Sequence, residues 1–349
     1  MVWSKSNKKG NGQPFTDQDI QLRAPLPRFQ RVKALEMSAM AVAKLNPKVR
    51  VHCVCTGFLY GNGEQNDIFY EFFRRAWVSL HPELAALPVV GEGNNIIPTI
   101  HVNDLTRCID YLLTDGPVDQ PYLIAVDQCE DSCQKQIMQS ISSTIGSGEV
   151  KNMKISEVYS QPWCELLTVD VKLQVSQCLK EACRWEFKDG INPESMKKLN
   201  EQFNYFRGLF PLKVFITGPP CSGKTYLSQK LSKEYGIPHI TIKDIIKMGM
   251  ALKDEFGQRL QQKIEELKDQ AEADYEKTKK KKDPEFDREN YHPRLTDDIL
   301  FDLAKIQVNS AGCMNKGFIL DGYPRSFNDA KEIFMTKTFK PAEGEEAEP

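Results

Sequence analysis

A glycine-rich run of eight residues restricts the fold of this chain more tightly than any other part of the sequence. The run consists of Gly218, Pro219, Pro220, Cys221, Ser222, Gly223, Lys224 and Thr225. It matches the pattern G-x-x-x-x-G-K-[S/T] at every fixed position. The apolar segment 213–217 before it predicts a strand, and the amphipathic segment 226–231 after it predicts a helix. A strand, a glycine-rich turn and a helix in this order predict an α/β fold, with the turn at the ligand-binding edge of the sheet.

The residue types in this run fit the binding of a nucleoside triphosphate. Glycines at 218 and 223 let backbone N–H groups approach phosphate oxygens without interference from a Cβ atom. Lys224 places a positive charge at the β- and γ-phosphates, and Thr225 offers a hydroxyl to Mg²⁺. We therefore predict that residues 218–225 bind ATP with Mg²⁺. The alternative is a glycine-rich turn without a ligand, which the flanking strand and helix disfavour.

A second polar cluster follows an apolar segment later in the chain. Residues 317–321 predict a strand that ends in Asp321, and Arg325 follows four residues later. Open α/β sheets bind their ligands at this edge. Asp321 is predicted to hold Mg²⁺ or a water molecule bound to it, and Arg325 to pair with a phosphate group. A strand followed by Asp-Gly is also a common turn, so the prediction depends on the glycine-rich run earlier in the chain.

Together with the segment 237–247, the two motifs resemble the adenylate kinase family. They follow one another in the family's order: the glycine-rich run, Ile-Pro-His-Ile-Thr-Ile-Lys-Asp-Ile-Ile-Lys, and Asp-Gly-Tyr-Pro-Arg. The resemblance implies reversible phosphoryl transfer from Mg-ATP to AMP or another nucleoside monophosphate. It implies catalytic roles for Lys224, Asp321 and Arg325. It also implies that the monophosphate is bound by Ile242, Lys247 and Arg325.

Two features depart from that family. At Lys247 the family usually has an arginine, and lysine keeps the charge but lacks the planar fork that binds two phosphate oxygens. No counterpart of the family's lid, with the arginines that clamp the transferring phosphoryl group, follows Arg325. An arginine in that role is worth a rate factor on the order of 10³ or more. These departures predict impaired turnover, and they leave a non-catalytic ATP-binding scaffold as the alternative.

The first half of the chain resembles the carboxyl-terminal half of extended short-chain dehydrogenases and epimerases. A Tyr-Gly loop follows the apolar segment 51–60, and an extended segment ends in His-Val-x-Asp-Leu at 101–105. No glycine fingerprint for a dinucleotide pyrophosphate follows an N-terminal strand. The nearest match to the Tyr-x-x-x-Lys pair of that family begins with Phe29, which cannot donate a proton. We expect no NAD(P) binding and interpret this half as structural or partner-binding, with an active dehydrogenase as the alternative.

These assignments predict two α/β units of three layers each. A partial epimerase-like domain of the Rossmann type spans 26–165, and a partial P-loop nucleoside-monophosphate-kinase domain without its lid spans 211–338. An irregular segment 1–25 precedes them, a helical connector 166–210 joins them, and an acidic tail predicted to be disordered covers 339–349. Such a fusion resembles a branch of the adenylate kinases that is associated with cilia and flagella. The resemblance implies axonemal protein partners, and a chain that lacks the family protein's beginning and its lid-bearing end.

Charge and composition disfavour several other classes of function. The 46 Lys and Arg residues are balanced by 48 Asp and Glu residues, so the net charge of −2 gives no general affinity for nucleic acid. A mean hydropathy of −0.47 and the lack of a long apolar run predict no membrane partner. Ten cysteines without a CxxC pair or a secretion signal predict reduced thiols in a cytoplasmic protein, with zinc binding as the disfavoured alternative.

Apolar residues three and four positions apart predict several helices outside the motifs, and two of them bear on the domain organisation. They cover 171–187 and 252–281. The second is highly charged and leads into the lysine run 279–282. It is interpreted either as a solvated helix within the monophosphate-binding segment or as a partner-binding helix.

Overall fold

The computed structural model describes most of the chain. The described residues are 1–46, 48–63, 67–78, 86–129, 132–252, 255–278, 287–288, 291 and 293–335. They divide into two compact units, Met1–Phe210 and Pro211–Pro349. The lysine run 279–282 and the acidic tail 339–349, both interpreted from the sequence, lie outside the described residues.

The first unit alternates short strands with helices. Its strands are β1 (Cys53–Thr56), β2 (Phe58–Tyr60), β3 (Leu87–Val90), β4 (Thr99–His101), β5 (Tyr122–Ala125) and β6 (Val150–Met153). Its α-helices are α1 (Gln30–Leu45), α2 (Asp67–Val78), α3 (Val102–Thr114), α4 (Gln134–Ile145), α5 (Ile155–Val158), α6 (Cys164–Leu167), α7 (Gln177–Ala182) and α8 (Ser195–Arg207). Three turns of 3₁₀-helix, Gly10–Gly12, Asp17–Leu22 and Pro27–Phe29, come before α1.

The strands of this unit form parallel pairs. β1 pairs with β5, β2 with β4, and β3 with β6. The apolar sides of α2, α4 and α8 pack together in one core cluster, which includes Phe72, Phe73, Ile137, Ile141 and Phe203. Burying a large apolar side chain of this kind stabilises a fold by about 1.5–3 kcal/mol. Helix α8, which was assigned to a connector from the sequence, is therefore part of this core.

The predicted helix over 171–187 is helical only at α7, and the residues before it are extended. The Val171 N–H donates to the Ile96 carbonyl at 3.0 Å, and the Phe15 N–H donates to the Lys172 carbonyl at 2.8 Å. Because these backbone groups bond to other segments of the chain, they are not available to a helix. The apolar spacing of this stretch therefore reflects packing of an extended segment rather than a helical face.

The second unit is built around three strands among its described residues. They are β7 (Leu212–Ile216), β8 (His239–Ile240) and β9 (Gly317–Asp321). The helices are α9 (Lys224–Tyr235), α10 (Ile242–Ala251), α11 (Glu255–Thr278), α12 (Asp297–Val308), α13 (Ala311–Lys316) and α14 (Phe327–Phe334). The helix predicted over 252–281 is α11, which begins at Glu255 after a break from α10.

The sheet of the second unit has the order β7-β9-β8, with all strands parallel. In this register Ile216 lies beside Asp321, and Ile240 lies beside Leu320. The carboxyl ends of all three strands therefore meet at one edge of the sheet. The predicted α/β class with parallel strands is confirmed. Within the described residues, no helix is long and apolar enough to span a bilayer.

Candidate functional site

The glycine-rich run connects the end of β7 to the first residue of α9. Helix α9 begins at Lys224, and its first turn contains no acidic residue. The first N–H groups of a helix lack partners within the helix and carry its positive dipole end. The Lys224 ammonium folds back over the loop, where its Nζ donates to the Gly218 and Pro219 carbonyls at 2.7 Å each. The amino end of α9 and the Lys224 ammonium thus both lie at the loop, and both are groups that favour phosphate binding.

The local geometry favours glycine at both fixed glycine positions of the pattern. Gly223 is the N-cap of α9 and has a φ of 80°, a left-handed conformation that other residues rarely adopt. A Cβ atom on Gly218 would lie 3.0 Å from Ser222 Oγ, closer than ordinary packing distance. These two positions fix the path of the loop, so the sequence pattern and the backbone geometry agree.

Cys221 adopts a left-handed conformation without being glycine. Its φ is 61°, and its thiol is exposed. This conformation costs a residue with a Cβ atom about 1–2 kcal/mol. The loop therefore holds backbone strain at its centre.

Replacing Cys221 with glycine is expected to stabilise the loop. The relief of strain exceeds the extra unfolded-state entropy of glycine, so the expected gain is up to about 1 kcal/mol. Hydrogen–deuterium exchange of peptides covering 218–235 measures it as slower exchange. The matched control is Ser222→Gly, at an exposed neighbour outside the left-handed region, which should exchange faster. Faster exchange in Cys221→Gly would contradict the expectation.

Asp321 and Gly322 lie directly beside the glycine-rich loop. The Gly322 N–H donates to the Ile216 carbonyl at 3.2 Å. A Cβ atom on Gly322 would lie 3.9 Å from Lys224 Cε, so the lysine stem passes over this glycine. The Asp321 side chain is only 5% exposed, and His239 Nε2 lies 3.2 Å from its Oδ2. The two sequence motifs therefore meet at the carboxyl edge of the sheet.

The backbone of Arg325 is fixed by the start of α14. Its N–H donates to Asp329 Oδ2 at 3.0 Å, and Asp329 also forms a capping box with Ser326. Hydrogen bonds from the Ser326 hydroxyl and from these backbone N–H groups hold the pKa of Asp329 below its ordinary value. The Arg325 side chain is exposed and lines a cavity of about 910 Å³ together with Lys224.

The predicted monophosphate-binding residues do not all lie together. Lys247 lines a separate cavity of about 520 Å³ beside α10 and α11. Ile242 packs against the hydrophobic core of the second unit instead. This second cavity has an apolar lining with three lysines around it: Lys243, Lys247 and Lys268. Of these, sequence reasoning identified only Lys247. Lys243 lies one turn before it on α10, and Lys268 is brought near both by the packing of α11 against α10.

The start of α10 is well defined. Thr241 is its N-cap, and its hydroxyl accepts from the Asp244 N–H at 3.2 Å while Asp244 Oδ2 accepts from the Thr241 N–H at 3.1 Å. Reciprocal capping of this kind satisfies N–H groups that the helix leaves open. It fixes the first turn of the helix that carries Lys243 and Lys247.

The donor groups around the loop fit Mg-ATP. Mg²⁺ prefers oxygen ligands and is commonly bound by one or two carboxylates together with substrate phosphates. Thr225 contributes an exposed hydroxyl, and Asp321 contributes a carboxylate at the adjacent strand end. Lys224 and the first N–H groups of α9 supply the positive side of the site.

Metal binding through sulfur has no comparable support. All ten cysteines are free thiols. Within the part of the chain that the structure describes, no group of three or more His, Cys, Asp or Glu side chains is arranged to hold a metal ion.

Among the described residues of the first unit, the carboxyl group of Asp127 has a strongly shifted pKa. Asp127 is 7% exposed and follows β5, where its Oδ2 accepts from the Thr99 hydroxyl at 2.7 Å. Burial raises the pKa of Asp127 well above its ordinary value, and hydrogen bonds from Thr99 and Tyr60 oppose that shift only in part. The folded chain therefore binds a proton at Asp127 more tightly than the unfolded chain does.

Replacing Asp127 with asparagine is expected to flatten the dependence of stability on pH. In the parent chain, the raised pKa means that the free energy of unfolding falls as pH rises from about 3.8, the ordinary value, to the raised value of the folded state. An amide does not titrate, so this fall disappears. Urea unfolding followed by tryptophan fluorescence reports on this unit, because Trp3, Trp77, Trp163 and Trp185 all lie in it.

The matched control is Asp119→Asn, at an exposed position of the same unit. In this variant, the free energy of unfolding should change with pH as it does in the parent chain. A parent-like slope in Asp127→Asn would contradict the assignment of the proton to Asp127.

Comparisons with known proteins place relatives along nearly the whole chain. Adenylate kinase 7 of Mus musculus is 29% identical over 359 residues, which cover 96% of this chain and 55% of that protein. Adenylate kinase 7 of Macaca fascicularis is 29% identical over 312 residues, covering 86% of this chain and 56% of that protein. The chain thus spans little more than half the length of these curated relatives. A probable adenylate kinase 2, chloroplastic, of Oryza sativa subsp. japonica is 29% identical over 123 residues, or 35% of this chain and 34% of that protein.

Among solved structures, a dTDP-glucose 4,6-dehydratase from Bacillus anthracis in complex with NAD aligns with a TM-score of 0.41 at 16% identity. The alignment covers 59% of this chain and 61% of that chain. No protein-family model matches the chain. The resemblance to a long adenylate kinase with an additional N-terminal half is confirmed by the two relatives that match across both units.

Proposed function

We propose that this chain is a nucleoside monophosphate kinase that transfers a phosphoryl group from Mg-ATP to AMP or another nucleoside monophosphate. One observation carries the proposal. Gly218 and Lys224 of the glycine-rich loop line one cavity together with Gly322 and Arg325, and Asp321 ends the adjacent strand at the same carboxyl edge of the parallel sheet. The similarity to adenylate kinases, over 96% of the chain for one relative and 35% for another, supports the same assignment.

Catalysis in such a site consists mainly of positioning and charge stabilisation. The first N–H groups of α9 and the Lys224 ammonium bind and orient the phosphate chain. Arg325 presents a guanidinium that pairs with a phosphate oxygen on the other side of the cavity. Thr225 and Asp321 would hold Mg²⁺, which would supply positive charge to the β- and γ-phosphates.

The second cavity supplies the acceptor side of the proposal. Its apolar lining suits a nucleoside, and its three lysines, including Lys247, suit a phosphate group. Because lysine acts as a point charge, monophosphate recognition by Lys247 is less selective in geometry than recognition by an arginine.

A coupled assay for ADP tests this function. With ATP, AMP and Mg²⁺ present, two ADP molecules are expected from each pair of substrates, and omission of either AMP or Mg²⁺ should abolish ADP formation. ADP formed at the same rate without AMP would indicate an ATPase and would contradict the proposal.

A second candidate function is an ATP-binding scaffold with impaired turnover. The site is open in the described structure: Thr225 and Arg325 are exposed, and Phe215 on β7 is 49% exposed. An open site does not exclude water from the reacting groups, which lowers phosphoryl transfer more than it lowers binding. Saturable Mg-ATP binding without AMP-dependent ADP formation would favour this candidate.

The cellular setting follows from the resemblance to the cilium-associated branch. We propose a cytoplasmic chain in cilia or flagella, with axonemal protein partners and without binding to nucleic acid or membranes. We further propose that the first unit does not bind NAD(P). Titration with NADH followed by its fluorescence tests that expectation, and a saturable change would contradict it.

A further inference from the structure

We propose that His239 is a positioning residue for Asp321. Its ring would hold one oxygen of this carboxylate, so that the other oxygen faces the Mg²⁺ of a bound nucleotide. This inference rests on the proposed function, because it concerns the metal side of the ATP site.

The geometry of the pair supports a direct hydrogen bond. His239 Nε2 lies 3.2 Å from Asp321 Oδ2, within hydrogen-bonding distance. The side chains are 15% and 5% exposed, so water competes little for the contact. With the proton on Nε2, the ring donates to Oδ2, and among the described residues no other side chain donates to this carboxylate at hydrogen-bonding distance.

The fold places the two residues together through the strand order. His239 lies in β8 beside Ile319 of β9, and Asp321 is two residues further along β9. Side chains two positions apart on a strand share a face, so the His239 ring reaches Asp321 along that face. The pair therefore depends on β8 and β9 being neighbours and keeping this register.

A buried carboxylate needs such a partner. Burial without compensation raises the free energy of a charged group, and a fixed hydrogen bond lowers that cost. When Oδ2 is occupied by His239, Oδ1 remains for a metal ion or its water. Groups that orient a metal-binding carboxylate change metal affinity by about 10- to 100-fold when they are removed.

The test compares ATP affinity with and without Mg²⁺ in the full chain. A fluorescent ATP analogue is titrated in the presence of Mg²⁺ and in the presence of a chelator, and the ratio of the two affinities is the readout. In His239→Leu we expect this ratio to fall by about tenfold, with the metal-free affinity unchanged. In His239→Gln the side-chain amide still donates, and the ratio should recover to near the parent value.

A double-mutant cycle distinguishes positioning from a general structural role. If His239 acts through the carboxylate, His239→Leu should have no further effect on the ratio in an Asp321→Asn background. The matched control is His52→Leu, which removes a histidine from the first unit that contacts the Gln120 carbonyl. It should leave the ratio unchanged.

Circular dichroism melting checks that each variant is folded. If His239→Leu is not folded, His239→Asn replaces it, because the shorter asparagine side chain cannot reach Asp321. This variant should show the same fall in the affinity ratio. The positioning role would be overturned if folded His239→Leu kept the parent affinity ratio. It would also be overturned if His239→Leu lowered the ratio as much in the Asp321→Asn background as in the parent. Absence of ATP binding by the parent chain would overturn the proposed function as well, whereas binding with an unchanged ratio would overturn only this inference.

Discussion

Replacing Lys224 with alanine is expected to weaken Mg-ATP binding by about 10- to 100-fold, because hydrogen bonds to charged groups contribute about 1.5–3 kcal/mol. Phosphoryl transfer is expected to fall by at least about 100-fold, since the lost ammonium also stabilises charge that develops on the transferring group. Calorimetric titration with Mg-ATP measures the first effect, and the coupled ADP assay measures the second. The fold should be retained, because the Lys224 ammonium contacts only loop carbonyls within the described structure.

The matched control for this variant is Lys230→Ala. Lys230 is an exposed lysine on the same helix, α9, six residues further on. It carries the same charge and should bind Mg-ATP as the parent does. Parent-like binding by Lys224→Ala would contradict the role of Lys224, and an equal loss in both variants would show that binding depends on overall charge rather than on the loop.

The largest expected loss of stability comes from replacing Gly317 with alanine. Gly317 is the first residue of β9 and has a φ of 85°, where a Cβ atom is strained. A Cβ atom at this position would lie 2.0 Å from the Leu212 carbonyl oxygen in β7, a backbone atom that cannot move without breaking the strand pairing. We expect a destabilisation of about 3 kcal/mol or more, which corresponds to about 100-fold faster exchange through unfolding.

Hydrogen–deuterium exchange of peptides covering 212–216 and 317–321 measures this loss where it arises. The matched control is Gly312→Ala on α13, where a Cβ atom would meet Pro238 Cγ at an ordinary 4.0 Å. Alanine favours a helix over glycine by up to about 1 kcal/mol, so this control should be neutral or stabilising. Similar protection from hydrogen exchange in Gly317→Ala and Gly312→Ala would contradict the backbone clash at Gly317.

The glycine-rich loop could be predicted from the sequence because its determinants are local. A strand, two glycines, a lysine and a helix follow one another within about twenty residues, and no distant contact is needed to fix their order. The loop does begin and end where the pattern places it, with α9 starting at Lys224. The class of fold follows from the same local signals.

The relation between Asp321 and its neighbours could not be predicted in the same way. The contact with His239 requires that β8 lie beside β9, although most of the second unit's described helices separate them in sequence. Strand order is set by how helices pack across the sheet, which apolar periodicity does not reveal. The family resemblance implies that Lys247 and Arg325 bind the same monophosphate, and in the described structure the two side chains line different cavities.

The stretch 171–187 shows how tertiary contacts override a helical pattern. At its end, the Glu186 and Phe187 N–H groups donate to the carboxylate of buried Asp104 at 2.9 and 2.8 Å. These bonds satisfy a buried charge, and a helix continuing from α7 would lose them. The partner residue is about eighty positions away in the chain, so no local window contains this information.

The central claim is that backbone N–H groups of residues 218–225 bind the phosphate chain of ATP. Amide chemical shifts of ¹⁵N-labelled protein, followed while Mg-ATP is added, test it most directly. We predict saturable shifts concentrated at Gly223, Lys224 and Thr225, and much smaller shifts in Lys224→Ala at the same ATP concentration. The claim would be contradicted by saturable shifts at other residues without any shift at these three amides. It would also be contradicted if no amide shifted up to millimolar Mg-ATP.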